Sequence, residues 1–231
     1  MSKRDNIVIS FDLDYTLINN RKGIVNSFNY ALKKFNLSPI RKSVIEKMIG
    51  IPLNEMFTKF TDKDPSELSL AFREYYAAIG IYQSKLLTGA KDILKELKAH
   101  DYTLGIITSK KQSIAAKIAQ YLKIDNFFDF ILGETDSIKS KLDPNLTKFL
   151  LESYPSSQFV IIGDHPKDAM LAKNLNCSFI GVLTGFHTKN QLLEARKQRN
   201  QTQIVKKVYN ISIDIINSIL KNSNLESNKK R

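Results

Sequence analysis

The sequence has almost nothing that could brace it covalently and no stretch that could cross a membrane. Cys177 is the one cysteine among 231 residues, so no internal disulfide can form, and we expect a reducing compartment. The longest apolar runs, such as residues 159–162, are far too short to span a bilayer. The apolar stretch behind Lys3 and Arg4 ends at Asp12, which is not the pattern of a secretory signal peptide. We therefore expect a soluble, cytoplasmic protein without a membrane partner.

Glycine and proline are also scarce, and neither the apolar nor the charged fraction is extreme. The chain has nine Gly and six Pro and is 42% hydrophobic and 25% charged, which excludes a collagen-like or wholly disordered protein. A chain of this length can bury a sizeable core, either as one large domain or as one core with an insertion.

Negative charge is in short supply, and more than half of the positive excess lies near the C-terminus. The net charge is +12, and residues 189–231 hold ten Lys and Arg against three acids. A basic surface attracts anions, but no recognition helix, zinc-ligand spacing or aromatic-rich RNA motif accompanies it. We interpret the charge as a solvated helix face and tail, and we expect no specific nucleic-acid partner.

The periodicity of the apolar residues predicts an α/β core that is interrupted by a helical insertion. Residues 6–11 form a short β-rich run, whereas apolar residues between 24 and 82 recur at helical spacing. After Gly89, predicted helices and strands alternate, as they do in a parallel sheet covered on both faces. The predicted elements are helices 90–99, 112–122, 145–152 and 166–175, and strands 103–108, 130–132, 158–162 and 178–182.

These patterns predict a fold class and a division of the chain. The fold class is α/β, with a Rossmann-like parallel sheet as the core (residues 1–17 and 87–221) and an inserted α-helical domain (residues 18–86). Six apolar residues between Val205 and Ile219 indicate an amphipathic C-terminal helix. The polar composition of residues 222–231 predicts a flexible basic tail.

Charged and polar residues follow the first four predicted strands of the core. Ligands of open α/β sheets bind beyond the carboxyl ends of the strands, so we expect these residues to converge on one place. They are Asp12 and Asp14 after the first strand, Thr108, Ser109 and Lys110 after the second, Lys139 and Lys141 after the third, and Asp164 and Asp168 after the fourth.

Clustered carboxylates repel one another unless a cation or a proton intervenes, so apolar packing does not account for this set. Mg²⁺ is the cation that suits a few carboxylate oxygens together with water and phosphate. With such an ion, one Asp can attack phosphorus while a second carboxylate transfers the proton. The lysine and the hydroxyls would hold phosphoryl oxygens, so we expect a small phosphorylated metabolite as the partner.

Four segments resemble the phosphatase branch of the haloacid dehalogenase superfamily. They are Phe-Asp-Leu-Asp-Tyr-Thr-Leu at 11–17, Ile-Ile-Thr-Ser-Lys at 106–110, Lys-Leu-Asp-Pro at 141–144 and Ile-Gly-Asp-His-Pro-Lys-Asp at 162–168. Asp-x-Asp-x-Thr alone is a weak pattern, but four segments in order, each after a predicted strand, are a specific one. The helical insertion is similar to the cap domain of that family.

The resemblance implies a role for each matching residue. It implies Asp12 as nucleophile and metal ligand, Asp14 as general acid and base with its backbone carbonyl on Mg²⁺, Asp164 as metal ligand, Asp168 as the residue that orders metal-bound waters, Thr108 as a phosphoryl ligand and Lys141 as the compensating charge.

This chain departs from the family pattern at three places. Tyr15 stands where the family usually has Gly, so the turn after Asp14 must accept a bulky side chain. Leu142 replaces the first Pro of Lys-Pro-x-Pro, which leaves Lys139 as an alternative to Lys141. Ser109 and Lys110 replace the commoner Asn, so they are candidate substrate-binding residues, and a second positive charge could face the phosphate. We interpret His165 as a neighbour of the site rather than a catalytic base.

The resemblance implies a phosphoric monoester hydrolase similar to phosphoglycolate phosphatases. Asp14 argues against a haloalkanoate dehalogenase, whose leaving halide needs no proton, and Pro52 and Leu53 argue against a sugar phosphomutase. The alternatives within the family are an inorganic pyrophosphatase and a nucleotidase. The alternatives from other classes are a phospho-receiver switch and a catalytically silent binding module.

Overall fold

The computed structural model describes the backbone of residues 6–197 and 201–229 and the side chains as far as Asn222. Contacts divide the chain into two compact units: one is Asn19–Lys85, and the other combines the chain before Asn19 with the chain from Leu86 onward. The predicted boundaries of the insertion, residues 18 and 86, lie one residue outside those of the first unit.

Six parallel strands form the sheet of the larger unit, in the spatial order β5-β4-β1-β6-β7-β8. The two remaining strands, β2 and β3, pair with each other. In chain order the strands are β1 (Ile7–Phe11), β2 (Ile18–Asn19), β3 (Lys85–Leu86), β4 (Thr103–Lys111), β5 (Phe130–Glu134), β6 (Gln158–Gly163), β7 (Ser178–Val182) and β8 (Thr202–Val205).

Helices lie between successive strands of the six-stranded sheet, as parallel pairing requires. In chain order the helices are α1 (Arg21–Lys34), α2 (Lys42–Lys47), α3 (Leu53–Phe57), α4 (Pro65–Ala78), α5 (Ala90–Ala99), α6 (Gln112–Tyr121), α7 (Pro144–Ser153), α8 (Pro166–Asn174), α9 (Lys189–Arg196) and α10 (Ile213–Lys229). Helices α1–α4 belong to the smaller unit, and α10 follows the last strand. The α/β fold class and the parallel sheet that the sequence predicts are confirmed.

The core strands are buried on both sides, which is why they read as continuous apolar runs. Every residue of β7 is buried, and β6 is buried from Phe159 onward. On one face, Val8, Phe159 and Ile161 belong to a cluster with Leu146 and Leu150 of α7 and with residues of α8. This layer of helices holds the segments after β5 and β6 against the sheet.

The order of the strands puts β1 at the centre of the sheet, and this decides where a ligand can bind. The chain proceeds from β1 to β4 and β5 on one side, and then returns to place β6, β7 and β8 on the other side. Phe11, the last residue of β1, is in register with Ile106 of β4 and Ile162 of β6. The carboxyl end of β1 is therefore a topological switch point, the usual ligand site of such sheets.

The smaller unit, Asn19–Lys85, is helical and has a core of its own. The rings of Phe28 and Phe57 stack with their centroids 4.2 Å apart, and Leu32, Ile45 and Leu68 join them in one buried cluster. The aromatic residues at helical spacing thus contribute largely to the interior of this unit, as their periodicity predicts.

The C-terminal region differs from the prediction. Val205 belongs to β8 and Val208 to a short 3₁₀ turn, so the predicted helix begins only at Ile213. Both valines are buried, and β8 extends the sheet by parallel pairing with β7. The two buried valines are three residues apart, which is also the spacing of apolar residues on one face of a helix. Helix α10 continues through Lys229, where the sequence predicts a flexible tail, and the last two residues of that tail lie outside the described part.

Among the described residues, no helix is both long enough and apolar enough to cross a membrane.

The reaction rate of the Cys177 thiol is a measure of how well this core excludes solvent. Burial raises the pKa of its thiol to about 12, and the side chain belongs to the apolar cluster beneath β7. We expect the folded protein to react with a thiol reagent such as DTNB orders of magnitude more slowly than the urea-unfolded protein at neutral to mildly alkaline pH, because only the thiolate reacts. The absorbance of the released chromophore measures this rate, and Cys177→Ala gives the blank. Rapid stoichiometric labelling of the folded protein would contradict the burial.

Candidate active site

The site is built around Asp12, which follows the central strand β1. Its side chain is buried, and its backbone N–H donates to the carbonyl of Ile162 in β6 over 2.8 Å. This hydrogen bond continues the β1–β6 ladder past the end of the strand and holds Asp12 at the edge of the sheet. Because β4 and β6 flank β1, the residues after these three strands meet here, as the sequence predicts.

Lys141 enters the site from the segment between β5 and α7. Its ammonium lies 2.5 Å from Asp12 Oδ1 and 2.6 Å from Asp168 Oδ1, and its side chain is only 3% exposed. The side chain of Lys139 is exposed instead, and its backbone N–H donates to Asp143 Oδ2. The structure therefore brings Lys141, and not Lys139, to Asp12.

Asp164 and Asp168 bring two further carboxylates from the start of α8. One oxygen from each of Asp12, Asp164 and Asp168 lies within 4.8 Å of the others, and all three residues are buried. Asp164 Oδ1 accepts a hydrogen bond from the Thr16 hydroxyl over 3.3 Å. Asp168 Oδ2 accepts from the backbone N–H of His165 over 3.0 Å, so both of its oxygens are engaged.

Two glycines leave room for these carboxylates. A Cβ atom at Gly185 would clash with the carboxylate of Asp164, and one at Gly163 would clash with that of Asp168. The chain thus approaches the carboxylates more closely than any other residue type allows at these two positions.

The carboxylates carry more charge than the lysine compensates. Burial raises the pKa of Asp12 to about 6, although Lys141 acts in the opposite direction. Burial, together with the charges of Asp12 and Asp168, raises the pKa of Asp164 well above its usual range. Burial alone would lower the pKa of Lys141, but Asp12 and Asp168 raise it above the ordinary value.

When all three carboxylates are ionised beside one ammonium, two negative charges lack compensation. A divalent cation supplies that compensation, and an oxygen-only donor set suits a hard ion such as Mg²⁺. The residues present therefore fit a metal ion.

Asp14, two residues beyond Asp12, points to a different cation. Its Oδ2 lies 2.8 Å from Lys110 Nζ, and its side chain is 26% exposed. Burial raises the pKa of Asp14, and Lys110 opposes that rise. Asp14 lies outside the group of three carboxylate oxygens, so its side chain remains at the margin of the site.

The residues at the end of β4 take different positions. Thr108 is buried, and its hydroxyl accepts from the backbone N–H of Lys110 over 3.3 Å. Ser109 is exposed, and Lys110 is the residue that pairs with Asp14. The strand runs to Lys111, three residues beyond the predicted end, because it continues to pair with β5 opposite Glu134.

His165 caps the N-terminus of a helix. Its Nδ1 accepts from the backbone N–H of Lys167 over 3.0 Å, which caps the N-terminus of α8. Its ring lies edge-on to His187 with the centroids 4.3 Å apart. Burial, together with His187 and Lys141, lowers the pKa of His165 to about 4, so the imidazole is neutral at neutral pH.

Sequence reasoning noted the similarity of residues 181–185 to phosphoglycolate phosphatases but gave the loop that follows β7 no role in the site. The Thr184 hydroxyl donates to the backbone carbonyl of Tyr15, and the ring of Phe186 packs edge-on against that of Tyr15 at 5.0 Å. Tyr15 has φ 57°, so the bulky residue that replaces Gly does adopt the left-handed conformation. The signals were the Gly-to-Tyr replacement itself and Gly185, but neither indicates which residues meet.

Comparisons with known proteins identify the family of this chain. The model of the family "haloacid dehalogenase-like hydrolase" matches residues 9–182, which include Asp12, Lys141 and Asp168. The chain belongs to this family.

Several of the similar proteins carry the names of phosphatases or hydrolases. A 5'-nucleotidase of Pseudomonas aeruginosa is 30% identical over 80% of this chain and 86% of its own length. A phosphoglycolate phosphatase of Vibrio parahaemolyticus is 24% identical over 81% of this chain and 88% of its own. A haloacid dehalogenase-like hydrolase of Streptococcus pneumoniae has a solved structure with TM-score 0.75 and 32% identity, over 86% of this chain and 93% of that one.

The carboxylate cluster predicts a pH-dependent response to metal. We expect millimolar Mg²⁺ to raise the melting temperature by on the order of 5 °C at about pH 7.5 and by little at about pH 5. The raised pKa values mean that the metal-free site holds protons below about pH 6, and metal binding must displace them. Thermal melts across this range measure the effect.

Asp164→Asn should lose this stabilisation, whereas Asp136→Asn, which changes an exposed loop acid, should keep it. An equal shift at both pH values, or an undiminished shift in Asp164→Asn, would contradict the metal site.

Proposed function

We propose that this chain is a cytoplasmic, Mg²⁺-dependent phosphatase that hydrolyses a small phosphate monoester through an aspartyl-phosphate on Asp12. The observation that supports this most directly is the buried Asp12 carboxylate at the switch point of the sheet, 2.5 Å from Lys141. Lys141 balances the charge of the Asp12 carboxylate at Oδ1, and we assign the other carboxylate oxygen to nucleophilic attack.

The first half-reaction forms the covalent intermediate. A carboxylate oxygen of Asp12 bonds to phosphorus, and the bond from phosphorus to the leaving oxygen breaks. Asp14 donates its proton to that oxygen, so an alcohol leaves. Lys141 and the Thr108 hydroxyl stabilise the charge on the phosphoryl oxygens, and Ser109 and Lys110 add contacts to the substrate.

The second half-reaction returns the enzyme to its starting state. Asp14, now a carboxylate, takes a proton from water, and the water oxygen bonds to phosphorus as the bond to Asp12 breaks. Phosphate leaves, and Asp12 is again paired with Lys141. The ion pair with Lys110 keeps the Asp14 carboxylate at a fixed place between the two steps.

The metal would be held by the Asp12 and Asp164 side chains and by the Asp14 backbone carbonyl, with Asp168 ordering its waters. When bound, Mg²⁺ supplies the positive charge that lets a phosphate dianion approach a cluster of carboxylates. The engagement of both Asp168 oxygens by Lys141 and the His165 N–H supports this indirect role for Asp168.

The similar proteins and the insertion support a proposal for the substrate class. We assign residues 18–86 to a cap that selects the substrate and residues 1–17 and 87–221 to the catalytic core. The similarity to a phosphoglycolate phosphatase favours a small phosphorylated acid. The similarity to a 5'-nucleotidase favours a nucleoside monophosphate as the second candidate.

Asp12→Asn tests the nucleophile. We expect phosphate release to fall by more than about 10³-fold, because the amide cannot form the acyl phosphate. The variant should remain folded, since Lys141 keeps its ion pair with Asp168. Phosphate release should be measured with phosphoglycolate, nucleoside 5'-monophosphates, pyrophosphate and sugar phosphates, with far-UV circular dichroism as the check on folding.

Turnover in Asp12→Asn at the wild-type rate would refute the mechanism. A wild-type chain that becomes phosphorylated but releases no phosphate would instead be a phospho-receiver switch. A chain that neither reacts nor releases phosphate from any substrate would be a binding module.

Asp14→Asn tests the proton transfer. We expect kcat for an alkyl phosphate to fall about 10²- to 10⁴-fold, the usual size of general acid–base effects. With p-nitrophenyl phosphate, whose leaving group needs no proton, the same variant should show a rapid burst of nitrophenolate followed by slow turnover. Stopped-flow absorbance separates the two phases. If the first step slowed equally for the alkyl phosphate and for p-nitrophenyl phosphate, Asp14 would not act as the acid.

A further inference from the structure

Tyr15 occupies a turn that costs free energy and must be held by its surroundings. Its φ of 57° is in the left-handed region, which is unfavourable for a residue with a large side chain. The turn lies directly after Asp14, and a bridge between Asp14 and Ile18 closes it. Because φ of Tyr15 is the rotation about its N–Cα bond, relaxation at Tyr15 can turn the peptide group that carries the Asp14 carbonyl.

Two hydrogen bonds hold the peptide groups on either side of the Tyr15 Cα atom. On one side, the backbone N–H of Tyr15 donates to the carbonyl of Ile18 over 2.8 Å. On the other side, the carbonyl of Tyr15 accepts from the hydroxyl of Thr184. The first bond is local to the turn, whereas the second comes from a residue 169 positions away along the chain.

The first hydrogen bond also sets the direction of the Asp14 carbonyl. The peptide bond is trans, as the described chain contains no cis peptide, so the N–H and C=O of one peptide group point in opposite directions. Because the N–H of Tyr15 points to Ile18, the carbonyl of Asp14 points away from it. The Thr184 bond fixes the next peptide group and so prevents φ of Tyr15 from relaxing.

The loop that carries Thr184 passes over the carboxyl end of β6, the strand between β7 and β1. It leaves β7, which is separated from β1 by β6, and reaches the turn after β1. On the way, Gly185 passes against Asp164, and Phe186 places its ring against that of Tyr15. One loop thus touches both sequence segments that carry the proposed metal ligands.

We propose that Thr184 is a positioning residue for the metal-binding turn: its hydroxyl holds the left-handed conformation of Tyr15 and thereby aims the Asp14 carbonyl. This inference rests on the proposed function, because it needs the Asp14 carbonyl to be a metal ligand. Thr184 itself touches neither the substrate nor the reacting atoms in this proposal.

The test measures metal binding apart from catalysis. Mn²⁺ replaces Mg²⁺ as the probe, and electron paramagnetic resonance counts the free ion in titrations of the full chain without substrate. Thr184→Val keeps the shape of the side chain and removes the hydroxyl, so we expect Mn²⁺ to bind roughly tenfold more weakly. Thr184→Ser keeps the hydroxyl donor and loses only the methyl group. We expect it to bind Mn²⁺ within about twofold of the wild type, because the hydrogen bond is retained.

The matched control is Thr103→Val, which removes a hydroxyl at the amino end of β4, the opposite edge of the sheet. Urea unfolding should show that both variants fold, with Thr184→Val the less stable because it loses a hydrogen bond, and only Thr184→Val should lose metal affinity. In steady-state assays at saturating Mg²⁺, KM for the substrate should be unchanged in Thr184→Val, and the Mg²⁺ concentration for half-maximal rate should rise with the Mn²⁺ dissociation constant.

The outcomes separate this inference from the proposed function. If the wild type binds Mn²⁺ and releases phosphate but Thr184→Val binds equally well, only the positioning role is overturned. If the wild type neither binds Mn²⁺ nor releases phosphate, the proposed function fails and the inference fails with it. If Thr184→Val does not fold, Thr184→Ala replaces it, and failure of both to fold would assign the hydroxyl to stability and overturn the proposal.

Discussion

The ion pairs of Lys141 with Asp12 and Asp168 are the interaction on which the rest of the site depends. A buried ammonium and a buried carboxylate each lose several kcal/mol of hydration, and they remain ionised only because they lie within hydrogen-bond distance of one another. Lys141 joins Asp12 at the end of β1 to Asp168 at the start of α8. It therefore compensates charge and links two elements that no local sequence brings together.

Lys141 compensates only part of the charge of the three carboxylates, and the proposed function would use the remaining negative charge. A third carboxylate, Asp164, lies in the same group and takes a hydrogen bond from the neutral Thr16 hydroxyl. A buried cluster with uncompensated negative charge would destabilise the fold if its role were only structural. A site that binds a divalent cation and then a phosphate needs the imbalance, because the cation must be attracted before the anion can be accepted. The family to which the chain belongs is consistent with that use.

Much of the fold follows from the sequence because parallel strands buried on both faces read as short apolar runs. Helix 90–99 and strand 178–182 coincide with α5 and β7, and most other core elements differ from the prediction by one to three residues at either end. The prediction failed at Val205 and Val208, where burial in a strand and a turn produced the spacing of a helix. Strand β8 exists because β7 offers it a free edge, and a pairing partner of that kind is not visible in the local sequence.

The sequence by itself determined which residue types stand at the strand ends: Asp12, Asp14, Asp164 and Asp168 follow strands, Thr108 lies near the end of β4, and their chemistry indicates metal and phosphate. Tertiary structure alone decided which of these groups touch. It chose Lys141 over Lys139, paired Lys110 with Asp14 and brought Thr184 to Tyr15. The physical reason is that the order of residues along a strand follows from local periodicity, whereas the order of strands in the sheet follows from packing of the whole chain.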